Sequence, residues 1–227
     1  MTTRRVIQNV IFDLGGVLLE WNPDKILAQL YSGDDVRALV RTEVFQHPDW
    51  LELDRGTLEE DVAVRLFSER TGRPLSEMKT LMETVRTSLI PMPPSFELLE
   101  ALSEEGMNLY CLSNMQSAVF AYLLRRYDFW GEFKGIVTSA SVRMIKPDEQ
   151  IFNHILSRYG LSPKESLFID DHPPNVEMAR RLEMPAILFQ GAEHCRHQLQ
   201  QSYHLLCQTE KRGRLILPVS SRPGEKI

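Results

Sequence analysis

The chain has little cysteine: Cys111, Cys195 and Cys207 are the only three in 227 residues, and no two form a CxxC pair. An odd number at such spacing excludes a disulfide-stapled scaffold and a cysteine-based zinc site, and it suits a reducing cytosol. No stretch approaches the roughly 20 apolar residues needed to cross a bilayer, so no membrane partner is expected. The opening MTTRRVIQNVIFDLGG has two arginines, but its apolar run is short and broken at Asp13. It is not read as a signal peptide, and a cytoplasmic location is expected. A basic excess is also missing, with 26 Lys and Arg against 31 Asp and Glu and a net charge of −5. Nucleic-acid binders carry clustered positive charge, so no nucleic-acid partner is expected. What is abundant is apolar content, 43% of residues, which excludes global disorder.

Short apolar runs flanked by turn residues predict five buried strands. They are Val6 to Leu14, Asn108 to Leu112, Gly135 to Thr138, Ser166 to Ile169 and Ala186 to Phe189. Helical patterns lie between them at Ser95 to Glu105, Ser117 to Tyr127, Glu149 to Tyr159 and Asn175 to Leu182. Alternating strands and helices imply an α/β fold with a parallel sheet covered on both faces. The stretch from Asn22 to Ile90 breaks this alternation. It shows helical periodicity alone, as in Pro23 to Leu30, Gly33 to Arg41, Leu58 to Thr71 and Leu75 to Ser88, and Asp24, Asp34 and Ser76 suit early-helix or capping positions. Residues 22–90 are therefore expected to form an inserted helical cap, and 1–21 with 91–207 a discontinuous core. Pro91, Pro93 and Pro94 stiffen the return. The basic tail, 208–227, is expected to be a loose surface segment with a last strand at Arg214 to Val219.

In a parallel sheet, ligands bind beyond the carboxyl ends of the strands. Four polar clusters fall there: Asp13, Ser113-Asn114, Lys146-Pro147 and Asp170-Asp171. Each alone has an ordinary explanation as a cap, a turn or a solvated charge. Their order, in the strings FDLGGVL, LSNM, IKPDEQIF and FIDDHPPNVEMAR, resembles the haloacid dehalogenase (HAD) superfamily over about Val6 to Phe189. The strings look most like its sugar-phosphatase branch with a helical cap.

The resemblance implies a Rossmann-like parallel sheet and a Mg2+-dependent phosphohydrolase acting on a small, sugar-like phosphorylated metabolite. Asp13 would be the nucleophile that forms an aspartyl-phosphate. Mg2+ would be held by Asp13, the carbonyl of Gly15 and Asp171, with Asp170 assisting. Ser113 and Asn114 would bind the phosphate or substrate, and Lys146 would pair with Asp13 and the phosphoryl oxygens. Asn175 would order the metal loop.

One position departs from the pattern. Most phosphatases of the superfamily read DxD in the first motif, where the second Asp transfers the proton; here Gly15 stands in its place. General acid–base help is worth about 10² to 10⁴-fold. Three readings follow: a phosphatase using another acid, with Glu20 the nearest in sequence though read first as solvated; a metal-independent dehalogenase-like hydrolase; or a phosphate-binding regulator without turnover. Trp21, Phe45, His47, Trp50 and Arg55 are read first as cap core and second as cavity lining. His172 is read as a surface-loop residue, His194 and His197 as no metal site, and Arg143 as a candidate extra cation near the phosphate.

Overall fold

Five short apolar segments pair in parallel in the order β3-β2-β1-β4-β5 in the computed structural model, which describes residues 7–207. The strands are β1 (Asn9–Phe12), β2 (Asn108–Ser113), β3 (Gly135–Thr138), β4 (Ser166–Asp170) and β5 (Ala186–Leu188). In β1 all four residues are buried, as a central strand flanked by β2 and β4 requires. Side-chain alternation divides the core. Val10, Phe12, Leu109, Cys111, Leu167 and Ile169 face one apolar cluster, while Ile11, Tyr110, Leu112 and Phe168 face another. Helices α6 (Pro93–Glu104), α7 (Ser117–Arg126) and α11 (Ala192–Gln198) cover the first face; α9 (Glu149–Tyr159) and α10 (Pro173–Arg181) cover the second.

Between β1 and α6 comes the helical insertion, with α1 (Pro23–Leu30), α2 (Asp34–Val40), α3 (Pro48–Arg55), α4 (Glu60–Thr71) and α5 (Leu75–Ser88). It has an apolar cluster of its own, including Ile26, Leu27, Trp50, Phe67, Met78, Leu81 and Val85. Its entrance and exit are laced together, since Glu20 N donates to Ile90 O at 2.8 Å and Met92 N to Leu18 O at 2.9 Å.

Several element ends differ from the sequence reading. Ser113 and Asp170 are the last residues of their strands rather than the first beyond them, and β1 and β5 are shorter than expected. The cap of α1 is Asn22, whose side chain accepts from Lys25 N, while Asp24 sits in the first turn. Helix α3 and the one-turn π-helix Arg41–Phe45 are additions. Residues 208–227, with the expected strand at Arg214 to Val219, lie outside the described residues.

Candidate active site

Strand ends bring the expected residues together. β1 delivers Asp13, β2 ends on Ser113 and β4 ends on Asp170. Asp13, Gly15, Ser113, Asn114, Lys146, Asp171 and Asn175 all line one cavity of about 650 Å³, a usual size for a small-molecule site.

Lys146 is the electrostatic centre. Its buried Nζ lies 3.0 Å from Asp13 Oδ1 and 2.6 Å from Asp170 Oδ2. Those two carboxylates hold its pKa above the usual lysine range despite burial, so the ammonium stays charged. Its backbone is fixed as well: Lys146 N donates to Asn114 Oδ1 at 2.8 Å, and Asn114 Nδ2 donates to Lys146 O at 3.0 Å. Asn114 thus clamps the lysine loop to the end of β2, a contact the sequence did not suggest.

Asp170 and Asp171 have different surroundings. Asp170 is fully buried and accepts from Lys146 Nζ, from Asn175 Nδ2 at 3.0 Å on both oxygens, and from His172 N at 2.8 Å. These bonds use nearly all the acceptor capacity of one carboxylate. Asp171 is exposed, and its carboxyl accepts from its own backbone N–H. Gly16 explains the close approach of the two loops: at φ +79° it carries no Cβ, and one built there would overlap Asp171 Oδ2.

Asp13, Asp170 and Asp171 each offer a carboxylate oxygen, all within 4.8 Å of one another, and this is the sole such group among the described residues. Buried Asp13 Oδ1 has the Lys146 ion pair but no well-aligned hydrogen bond. Crowded carboxylates with an under-satisfied buried oxygen fit a hard, oxygen-preferring cation, so this triad could bind a metal. Without one, burial pushes Asp13 up to about 7; Lys146 opposes that rise, and Asp170 and Asp171 add to it.

The insertion supplies the remaining wall. Trp21, Phe45, Trp50, Leu51, Val85 and Leu89 line the cavity, joined from the core by Met115 and Val119. Trp21 and Trp50 stack with centroids 6.0 Å apart, and Phe45 sits 4.7 Å from Trp50. These aromatics therefore serve both as insertion core and as lining. Arg55 also lines the cavity and bridges to Asp148 of the core at 3.1 Å. His172 does so too.

Other candidates fall away. His47 instead accepts from Asp49 N and lies 3.0 Å from Arg70. Arg143 ends the short helix α8 (Ser139–Val142) in a left-handed conformation and does not line the cavity. Glu20 is outside it as well, paired with Lys25 at 2.8 Å. His194 and His197 are exposed on α11 and join no metal-competent group.

Asp54 went unnoticed in the sequence. It lines the cavity from the last turn of α3, and burial pushes its pKa up to about 7. The side chains of Gln116 and Trp50 donate to its carboxyl and oppose the rise, and the charge of Asp13 adds to it. Trp50 and Asp54 stand four apart on one helix face, the one local hint available.

A parallel sheet with carboxylates at adjacent strand ends and a helical insertion over them is an α/β architecture that places a site at the carboxyl edge of the sheet. The chain belongs to the haloacid dehalogenase-like hydrolases, whose family model matches residues 7–183. It is 31% identical over 174 residues to the sesquiterpene phosphatase astK of Aspergillus oryzae, covering 77% of this chain and 85% of that protein. It is 23% identical over 189 residues to D-ribitol-5-phosphate phosphatase of Bacteroides thetaiotaomicron, covering 78% and 89%. The HAD family enzyme bt-2542 of the same bacterium, solved with magnesium and inorganic phosphate, superposes with a TM-score of 0.65 at 20% identity, covering 83% and 98%.

Proposed function

We propose that the protein is a Mg2+-dependent phosphomonoester hydrolase with Asp13 as nucleophile. The observation that carries this reading is the Asp13–Lys146–Asp170 arrangement beside exposed Asp171. It sets an anionic oxygen, a fixed cation and a metal-competent acidic group at one end of the cavity. Asp13, Asp171 and the carbonyl of Gly15 would hold the ion, with Asp170 assisting by fixing Lys146 and Asn175. The ion would supply charge neutralisation at the phosphoryl group. Lys146 holds positive charge where the phosphoryl oxygens would lie, and Ser113 and the backbone after it would donate to them. Residues 22–90 would act as a cap that encloses the leaving group.

The cavity wall supports an apolar alcohol as the leaving group. Stacked Trp21, Trp50 and Phe45 with Leu51, Val85 and Leu89 gain free energy by burying hydrocarbon. The relation to a sesquiterpene phosphatase points the same way. A sugar-like leaving group is the second reading, favoured by polar Arg41, Gln46 and Arg55 in the lining and by the relation to a ribitol-phosphate phosphatase.

The test compares p-nitrophenyl phosphate, farnesyl monophosphate and a sugar-phosphate panel, each with Mg2+ and with EDTA. Metal-dependent phosphate release that is lost in Asp13→Asn is expected, with kcat/KM highest for the prenyl ester. Release that persists in Asp13→Asn would overturn the nucleophile, and chloride release from 2-chloropropionate in EDTA would favour the dehalogenase-like reading.

A further inference from the structure

The position that would carry the proton-transferring acid is Gly15, and no other carboxyl on the β1 loop enters the cavity. The question is whether another element supplies one. Among the cavity-lining acids, Asp13 and Asp171 belong to the metal-competent group, and Asp148 is paired with Arg55. Asp54 is the remaining one, and it comes from the insertion.

Three contacts hold it against the core. Asp54 O accepts from Ser139 Oγ, and the same Ser139 Oγ accepts from Met115 N at 2.8 Å. Ser139 therefore ties the last turn of α3 to the loop that carries Ser113 and Asn114. Beyond it, Gly56 turns the chain at φ +77° with Ala140 so close that a Cβ would lie 2.8 Å from its backbone. The Arg55–Asp148 ion pair closes the other side. At the carboxyl itself, Gln116 and Trp50 donate from within the cavity wall. Gln116 is buried, and its Oε1 is left without a partner in that wall, as expected of a group waiting for a donor on a bound substrate.

We infer that Asp54, reaching in from the insertion, is the general acid–base that replaces the acid missing at Gly15. The inference rests on Asp13 being the nucleophile. When an Asp13 oxygen bonds to phosphorus, the bond from phosphorus to the ester oxygen breaks, and Asp54 passes its proton to that oxygen to release the alcohol. Its carboxylate then takes a proton from the water that attacks the aspartyl-phosphate. The bond between the Asp13 oxygen and phosphorus breaks, the Asp13 carboxylate is restored, inorganic phosphate leaves, and Asp54 is again protonated. The apolar surroundings that raise its pKa keep the carboxyl protonated near neutrality, as a general acid needs.

The test uses leaving groups of different basicity. An alkyl phosphate needs the proton and p-nitrophenyl phosphate hardly does. Asp54→Asn should lower kcat/KM, which reports the step that releases the alcohol, by about 10² to 10⁴-fold on an alkyl phosphate and by far less on p-nitrophenyl phosphate. Thermal stabilisation by Mg2+ with inorganic phosphate should persist, reporting an intact site. A Cβ at Gly15 would meet nothing nearer than Trp21 Cβ at 3.5 Å, an ordinary contact, so Gly15→Asp serves as the rescue. Added to Asp54→Asn, it should restore alkyl-phosphate turnover. Asp54→Ser serves in the same comparison if the amide does not fold. Equal losses of kcat/KM on both substrates, an unchanged alkyl kcat/KM, or failure of Gly15→Asp to rescue would overturn the assignment. Activity surviving Asp13→Asn would instead sink the underlying reading.

Discussion

Asp54→Asn should stabilise the protein, and increasingly so as pH rises. In the folded state the carboxyl titrates at about 7 instead of 3.8, with desolvation the largest cause. Between those values the folded protein binds more protons than the unfolded chain, so the wild type loses stability as pH climbs from about 4 to about 7 and no further above that. A shift of about 3 units corresponds to about 4 kcal/mol, of which roughly 2.5 develops between pH 5 and pH 8. Partial exposure of the residue to the cavity reduces this to about 1.5 to 2.5 kcal/mol. At about 2 to 4 °C per kcal/mol for a chain of this size, the variant's Tm advantage should widen by roughly 3 to 10 °C over that range. Charged and titratable neighbours lining the same cavity are Asp13, Lys146, Asp148, Asp171, His172, Arg41 and Arg55. They are common to both proteins, so the difference reports Asp54 together with its coupling to Asp13. Scanning calorimetry in EDTA at both pH values is the assay. A Tm difference independent of pH, or a variant less stable near pH 8, would refute the reasoning.

Other predictions test the rest of the site. Lys146→Ala leaves Asp13 and Asp170 buried without their cation, which should cost about 3 to 5 kcal/mol in urea unfolding and abolish turnover. Gly16→Ala forces a Cβ into Asp171 and a left-handed residue, at about 1 to 2 kcal/mol for the backbone alone, and should weaken Mg2+ binding by calorimetry. Leu51→Ala should raise KM for a prenyl phosphate more than for p-nitrophenyl phosphate, because it removes apolar wall and leaves the phosphate end intact.

Much of the site was legible because its residues sit where strands stop. Asp13, Ser113, Asp170 and Asp171 each end or follow an apolar run whose end the sequence marks, and a parallel sheet gathers such ends at one edge, while Lys146 comes from the loop beyond α8 and is held there by Asn114. The insertion was legible as a helical block, but not its internal packing. Helix α3 escaped because its N-cap is His47 rather than a usual Ser, Thr or Asp, although Pro48 at its first position and Gly56 just beyond its end were signals. Asp54 escaped for a deeper reason. In WLELDRG it looks like a solvated charge, and its burial depends on Ser139, Gln116 and the β1 loop, residues far away in the chain. Glu20 and Arg143, near the site in sequence, lie outside the cavity, which shows how little proximity along the chain says about a side chain's environment.

The central claim is that Asp13 attacks phosphorus. Acid-quenching the reaction of p-nitrophenyl phosphate with the Mg2+-loaded enzyme in the pre-steady state, followed by peptide mass spectrometry, tests it most directly. The account predicts phosphate on the peptide carrying Asp13, absent in EDTA and in Asp13→Asn. Turnover at the wild-type rate from an enzyme whose Asp13 never carries phosphate would contradict it.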